Sequence, residues 1–136
     1  CFLVAQEVAR RFMIPRQSGK IINIASIAGF KGNRANSGIH TVAYNTSKAA
    51  AINLTRALAG EWGQYNINVN AICPGYFPTK LAKGLEKVTE LIKQGTPLGR
   101  IGGEEDIKGA AVFLASEASR HVSGQALAVD GGNSAV

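Results

Sequence analysis

HTVAYNTSKAAAINLTRALAGEWG, residues 40–63, stands between two apolar runs, GKIINIASIAG at 19–29 and INVNAICPG at 67–75. Continuous runs rich in β-branched residues are typical of strands buried on both faces of a parallel sheet. Two parallel strands need a long connection, which is usually a helix. The sequence therefore predicts an α/β fold in which a helix ending near Gln64 joins two parallel strands. The predicted strands are at about 20–26, 67–73 and 124–129.

Tyr44 and Lys48 lie four residues apart in the helical run. At 3.6 residues per turn, positions i and i+4 share one face of a helix, with their Cβ atoms about 5–6 Å apart. A free phenol loses its proton only near about pH 10, and a nearby cation stabilises the phenolate. This pair therefore indicates a tuned acid/base, although the same spacing also occurs by chance on ordinary helix surfaces.

Ser26 comes at the carboxyl end of the first apolar run, and Pro74 breaks the second. Ligands of open α/β sheets bind outside the carboxyl ends of the strands. Because consecutive parallel strands end at one edge of the sheet, we expect Ser26, Tyr44 and the loop at 74–79 to converge there. Ser26 also has an ordinary structural role open to it, since a serine after a strand often caps the next turn.

The chain resembles the short-chain dehydrogenase/reductase family over nearly its whole length. Four ordered motifs carry the resemblance: NIAS (23–26), AYNTSKAA (43–50), NVNAICPGYFPT (68–79) and SGQALAVDGG (123–132). The resemblance implies a Rossmann-type doubly wound parallel sheet. It also implies hydride transfer between a nicotinamide cofactor, NAD or NADP, and a secondary alcohol or ketone. Within the family the chain looks most like the gluconate, polyol and 3-oxoacyl reductase members.

The resemblance also implies roles for single residues. Tyr44 would be the proton donor or acceptor on the substrate oxygen, Lys48 would favour the ionised phenol and bind the nicotinamide ribose, and Ser26 would hold the substrate oxygen. The Thr79 hydroxyl would bond the carboxamide, although Thr79 could equally be a helix N-cap. The cofactor-binding residues implied by the family are Tyr44, Lys48, Pro74, Gly75, Phe77 and Thr79.

One departure from the family lies between Ser26 and Tyr44, which are eighteen positions apart. The spacing is longer than the family pattern, and the excess falls in FKGNRANSGIH at 30–40. Loops absorb such insertions at low cost. Ser37 is a competing candidate for the serine role, but it sits in the polar loop rather than at the strand end, so Ser26 is preferred. We expect the inserted stretch to border the substrate pocket.

A second departure concerns the cofactor. No G-x-G-x-x-G motif occurs in the 136 residues, although such a turn cradles the pyrophosphate in dinucleotide-binding folds. The chain lacks an initiator Met and opens with an amphipathic helix, predicted to end before Pro15. We interpret residues 1–136 as the C-terminal catalytic portion of a single Rossmann-type domain whose N-terminal dinucleotide-binding half is absent. The alternative hypothesis is that the chain as given is a non-catalytic fragment.

The net charge is +6, and residues 1–60 hold eight Lys or Arg but only one acidic residue, Glu7. No interleaved aromatic residues or nucleic-acid-binding motif accompany this charge, which favours a solvated face over a nucleic-acid partner. The alternative is that the positive charge binds an anionic substrate or carrier protein. A serine hydrolase is disfavoured, because Ser26 lacks the G-x-S-x-G elbow.

No run of the sequence is long and apolar enough to predict a membrane span, and no signal peptide is visible. Cys1 and Cys73 have no metal-ligand spacing and are expected to be reduced thiols. These features predict a cytoplasmic protein with no membrane, nucleic-acid or metal partner. The family resemblance adds a small-molecule alcohol or ketone substrate and a homodimer or homotetramer built on the Tyr-bearing helices.

Overall fold

A computed structural model describes residues 1–32, 40–78 and 86–136. Within these ranges a parallel sheet contains three strands in the order β1-β2-β3. Gly19 of β1 pairs with Ile67 of β2, and Ala71 of β2 pairs with Ala126 of β3. The predicted parallel α/β fold is confirmed, with β1 ending two residues earlier than expected. The strands are β1 (Gly19–Ile24), β2 (Ile67–Pro74) and β3 (Ala126–Val129).

The helices of the described ranges connect and cover these strands. The first helix consists of an α-helical segment (Phe2–Val8), a π-helical turn (Ala9–Met13) and a last α turn (Ile14–Arg16). The second is the predicted crossover between β1 and β2, and a 3₁₀ turn (Gly63–Tyr65) follows it. The α-helices are α1 (Phe2–Val8), α2 (Val42–Trp62), α3 (Glu86–Gln94) and α4 (Lys108–Ala115).

The prediction that the first helix ends before Pro15 was wrong, because the helix continues to Arg16. A proline inside a continuous α-helix lacks one hydrogen bond and clashes with the carbonyl four residues earlier. Here the π-helical turn interrupts the α-helical repeat first, so Pro15 occupies the opening of a new α turn, where proline is tolerated. The helix ends instead at Gln17, whose φ of 53° is left-handed.

Both faces of the sheet are covered, as a doubly wound fold requires. On one face, Val69 of β2 packs with Ala9, Leu58 and Trp62 from the first helix and α2. The alternate residues of β2 point to the other face. There the Asn70 side chain donates to the Val122 carbonyl at 2.8 Å, in the segment that follows α4. The continuous apolar pattern of β2 therefore reflects burial on both sides.

In the described ranges, none of the helices combines the length and apolarity that a membrane span requires. No cluster of three or more His, Cys, Asp or Glu residues suited to a metal ion was found in the same ranges. Both cysteines are free thiols, Cys1 at the surface and Cys73 in the core.

Candidate active site

The first turns of α2 present Tyr44 and Lys48 on one face, as their spacing predicts. The Lys48 Nζ lies 5.6 Å from the centroid of the Tyr44 ring. The same ammonium donates a hydrogen bond of 3.0 Å to the carbonyl of Ile24, the last residue of β1. Lys48 is therefore anchored to the carboxyl end of β1 while its charge stays beside the phenol.

The Tyr44 side chain is available to a ligand. The residue is 48% exposed, and among the described residues its hydroxyl has no hydrogen-bond partner. A phenol can both donate and accept a hydrogen bond. The arrangement thus leaves a phenol hydroxyl facing outward next to the Lys48 ammonium.

Ser26 lies just beyond β1, where the chain is still paired with β2 through a hydrogen bond of 2.8 Å from the Ala25 amide to the Ile72 carbonyl. Ser26 is only 8% exposed. Its Oγ accepts a hydrogen bond of 3.2 Å from the Ala28 amide and so caps a 3₁₀ turn (Ile27–Gly29). Ser26 therefore does cap the turn after the strand. Because its hydroxyl only accepts in this bond, its O–H can still donate a hydrogen bond to a second partner.

Gly29 brings this turn against the helix that carries Tyr44 and Lys48. A Cβ added at Gly29 would lie 2.8 Å from the carbonyl carbon of Lys48 and 2.9 Å from the amide nitrogen of Ala49. Contacts this close to backbone atoms admit only a glycine. The Ser26 turn and the Lys48 segment of α2 are thus in direct backbone contact at the end of β1.

Cys73 of β2 is buried next to the same residues. Burial raises the pKa of the Cys73 thiol, and a hydrogen bond from the Ser26 backbone together with the nearby Lys48 and Arg56 charges partly offsets that rise. The thiol is therefore protonated at neutral pH. It serves as a packing group in the core cluster that also contains Ala25, Ile27 and Ile52.

The loop that follows β2 is held by the end of β3 and by a more distant glycine. The Gly75 amide donates to the Val129 carbonyl at 3.0 Å. A Cβ at Gly75 would lie 2.7 Å from the Asp130 Cβ, so this close approach requires glycine. A Cβ at Gly102 would overlap the ring of Phe77, and the Gly102 amide donates to the Tyr76 carbonyl at 2.8 Å. The loop from Pro74 to Phe77 is fixed by these contacts. Thr79 lies outside the described residues.

Comparison with known proteins decides the family. A family model described as enoyl-(acyl carrier protein) reductase matches residues 1–134. The chain belongs to the short-chain dehydrogenase/reductase family. One member is the 2-dehydro-3-deoxy-D-gluconate 5-dehydrogenase of Dickeya dadantii, 46% identical over 96% of this chain and 51% of the relative. Another is the gluconate 5-dehydrogenase of Gluconobacter oxydans, 45% identical over 96% of this chain and 50% of the relative.

Solved structures of short-chain dehydrogenases/reductases match the fold as well. The crystal structure of a gluconate 5-dehydrogenase from Burkholderia cenocepacia, in complex with NADP and tartrate, has a TM-score of 0.91 and 40% identity. The match covers 99% of this chain and 52% of that one. The chain spans about half the length of the curated relatives it matches. The family and the Rossmann-type fold expected from the sequence are thereby confirmed.

The chain also has an open cavity of about 460 Å³ away from the Tyr44–Lys48 pair. Phe77, Arg100 and Asp130 are among its lining residues, whereas Tyr44, Lys48 and Ser26 are not. Arg100 binds Asp106 through two hydrogen bonds of 2.6 and 2.8 Å. This guanidinium, together with the Gly103 amide, holds the pKa of the Asp106 carboxyl well below its usual range. The ion pair braces the segment that packs on Phe77.

Sequence reasoning missed several residues that shape this part of the family fold. Gly102 stands in a loop, and nothing in its local sequence indicates that the Phe77 ring packs on it. Lys31 and Asn133 carried no motif, yet they are joined across the structure by a hydrogen bond of 3.0 Å. The competing serine, Ser37, lies outside the described residues, as does most of the inserted stretch.

Proposed function

We propose that this chain carries the proton-transfer site of an NAD(P)-dependent oxidoreductase that interconverts a secondary alcohol and a ketone. The observation that carries the proposal is the half-exposed phenol of Tyr44 with the Lys48 ammonium 5.6 Å from its ring. Lys48 is held at the end of β1 through Ile24, two residues before Ser26. These are the residues to which the family resemblance assigns the chemistry.

The residues of this chain would act on the substrate oxygen. In the reduction direction Tyr44 donates its proton to that oxygen as charge develops on it, and in oxidation the phenolate takes the proton back. The Lys48 ammonium stabilises the phenolate by its charge. The Ser26 hydroxyl donates a hydrogen bond to the same oxygen, which stabilises the charged transition state. A nicotinamide bound beside these groups supplies or accepts the hydride.

The donor set fits the nicotinamide half of the cofactor. Lys48 has three N–H donors, of which the Ile24 carbonyl accepts one. Two donors are left for the hydroxyls of a ribose. The loop at Pro74, Gly75 and Phe77 ends β2 on the same sheet edge, and we propose it, with Thr79, as the nicotinamide-side contact. The sequence has no Gly-rich turn for the pyrophosphate. We propose that a dinucleotide-binding half, for which the additional length of the relatives leaves room, binds the pyrophosphate.

For the substrate we propose a small polyhydroxy acid. The supporting observation is that relatives of 45–46% identity are named gluconate and 2-dehydro-3-deoxy-D-gluconate 5-dehydrogenases. We further propose a cytoplasmic enzyme, since both cysteines of this chain are free thiols. A homodimer or homotetramer is supported by exposed small residues on α2, Ala49 and Ala50, which would let a second helix approach closely.

A cofactor titration tests this proposal and, beside it, the hypothesis that the chain by itself is non-catalytic, since the two can hold together. We expect the isolated 136-residue chain to show no saturable micromolar binding of NADH or NADPH, because it lacks the pyrophosphate turn. The natural full-length protein that carries the chain should bind one of them and transfer hydride to or from a polyhydroxy acid, followed at 340 nm. Saturable binding by the isolated chain would exclude the hypothesis that it is non-catalytic. A full-length protein that binds either cofactor but oxidises or reduces none of these substrates would refute the proposal.

Ser26→Ala is expected to lower kcat on the order of a hundredfold, since one hydrogen bond to the transition-state oxygen is lost. Ser116→Ala is the matched control. Ser116 caps a 3₁₀ turn in the same way, its Oγ accepting from the Ala118 amide at 3.3 Å. Both substitutions should cost about 1 kcal/mol of stability through the lost cap, and only Ser26→Ala should slow turnover. Steady-state kinetics and thermal unfolding measure the two effects, and equal kcat values would contradict the role of Ser26.

A further inference from the structure

The residue next to the phenol is tied to a distant loop. Asn45 follows Tyr44 in the first turn of α2, where its amide bonds the Thr41 carbonyl at 2.8 Å. The Asn45 Oδ1 accepts a hydrogen bond of 2.8 Å from the Thr41 hydroxyl, and its Nδ2 donates to the Lys31 carbonyl at 3.0 Å. The start of the Tyr44 helix is thus attached to Lys31.

Lys31 in turn reaches the last turn of the chain. Its Nζ donates to the backbone carbonyl of Asn133 at 3.0 Å and to the Asn133 Oδ1 at 3.4 Å. The Asn133 Nδ2 donates at 2.9 Å to the carbonyl of Gly95, which directly follows α3. Asn133 therefore joins Lys31 to the end of α3 through side-chain bonds on both sides.

Hydrogen bonds hold the two segments that Asn133 joins, the end of α3 and the turn that carries Asn133 itself. Thr96, the residue after Gly95, is buried, and its Oγ1 donates to the Ile92 carbonyl at 2.7 Å. Asp130 receives amide hydrogen bonds from Gly132 at 2.9 Å and from Ser134 at 2.7 Å. Burial opposes the charged form of Asp130, but these bonds and the Lys31 charge outweigh it and lower the pKa of the carboxyl. The turn that presents Asn133 is therefore held in shape by an ionised carboxylate.

We propose that Lys31 and Asn133 are positioning residues, which together hold the first turn of the Tyr44 helix in register with the end of α3. The proposal rests on the proposed function, because it assigns these residues to the site where Tyr44 transfers a proton. Lys31 bonds Asn45 through its carbonyl and Asn133 through its ammonium. Removing the ammonium alone therefore cuts the link and leaves the bond to the helix intact.

The test compares Lys31→Met with the wild-type full-length protein. We expect kcat to fall about fivefold, as befits the loss of a single exposed charged hydrogen bond, with KM and the dissociation constant for NADPH or NADH within twofold. Lys31→Arg, which keeps a cation able to reach the Asn133 carbonyl, should restore kcat. Lys108→Met is the matched control, since Lys108 is an exposed lysine that bonds Glu105 within its own turn.

A second measurement does not depend on activity. Amide hydrogen exchange in peptides covering 41–48 and 93–98 should both become at least about threefold faster in Lys31→Met, because the two segments lose their common tether. Asn133→Ala should produce the same two changes. The double variant should be no worse than Asn133→Ala alone, since both substitutions break one chain of bonds.

These readouts keep the two proposals apart. Unchanged exchange at 41–48 in both single variants would overturn the positioning role, whatever the activity. So would a fall in kcat that Lys108→Met reproduces or that Lys31→Arg does not restore. If the wild-type protein transfers no hydride while exchange responds as expected, the link stands as structure and the proposed function fails.

Discussion

Tyr44→Phe should lower kcat on the order of a thousandfold, within the range that general acid/base catalysis contributes. The substitution removes one oxygen and leaves the ring, so the contact between the Lys48 ammonium and the ring face, 5.6 Å from its centroid, is retained. The phenol oxygen has no hydrogen-bond partner among the described residues, so its loss leaves no group of the described fold unsatisfied. Stability and cofactor affinity should therefore change little.

The measurement is steady-state kinetics beside a fluorescence titration of the cofactor, on the full-length protein. Tyr65→Phe is the control, because Tyr65 packs against the core beyond the end of α2 and has no part in the proposed site. Its kcat should stay within a factor of about two. Retention of more than a tenth of wild-type turnover by Tyr44→Phe, with cofactor binding intact, would show that another group carries the proton.

The Tyr44–Lys48 face could be predicted from sequence because its geometry is local. Four residues of helix fix where the two side chains point, and no distant contact is needed to bring them together. The strand–helix–strand unit was predictable for a related reason. Burial of β2 on both faces leaves a continuous apolar run in the sequence, and such a run is visible without knowing what covers it.

Other parts of the structure depend on contacts between segments far apart in sequence. Lys31 and Asn133 are separated by 102 positions, and each alone is an ordinary polar loop residue. Gly102 makes room for Phe77 only because the loop after β2 folds back onto it. The end of the first helix was mispredicted because the effect of Pro15 depends on the hydrogen-bond pattern of the turns before it. The π-helical turn at Ala9–Met13 changes that hydrogen-bond pattern, and no sequence motif predicts such a turn.

Gly29 is the residue through which the serine turn and the tyrosine helix meet. Its sequence context, IAG after a strand, is equally typical of a flexible turn, for which alanine would be a harmless replacement. The structure gives a different reason for the glycine. An added Cβ would lie 2.7 Å from the Ile52 Cδ1 and under 3 Å from backbone atoms of Lys48 and Ala49. A side chain can rotate away from such a clash, but helix backbone cannot.

Gly29→Ala is accordingly expected to lower the free energy of unfolding by about 2–3 kcal/mol, the upper range for overpacking a filled site. Gly60→Ala is the matched control, since Gly60 lies inside α2 and an added Cβ there meets nothing within 4 Å. Replacing a helix-interior glycine with alanine should raise stability by about 0.5–1 kcal/mol. Urea denaturation of the two variants should therefore give shifts of opposite sign.

Because the Gly29 clash pushes the Ser26 turn away from Lys48, Gly29→Ala should also reduce kcat under conditions where the protein is fully folded. A Gly29→Ala protein as stable and as active as wild type would mean that the backbone contact between the turn and α2 is not as close as the structure shows.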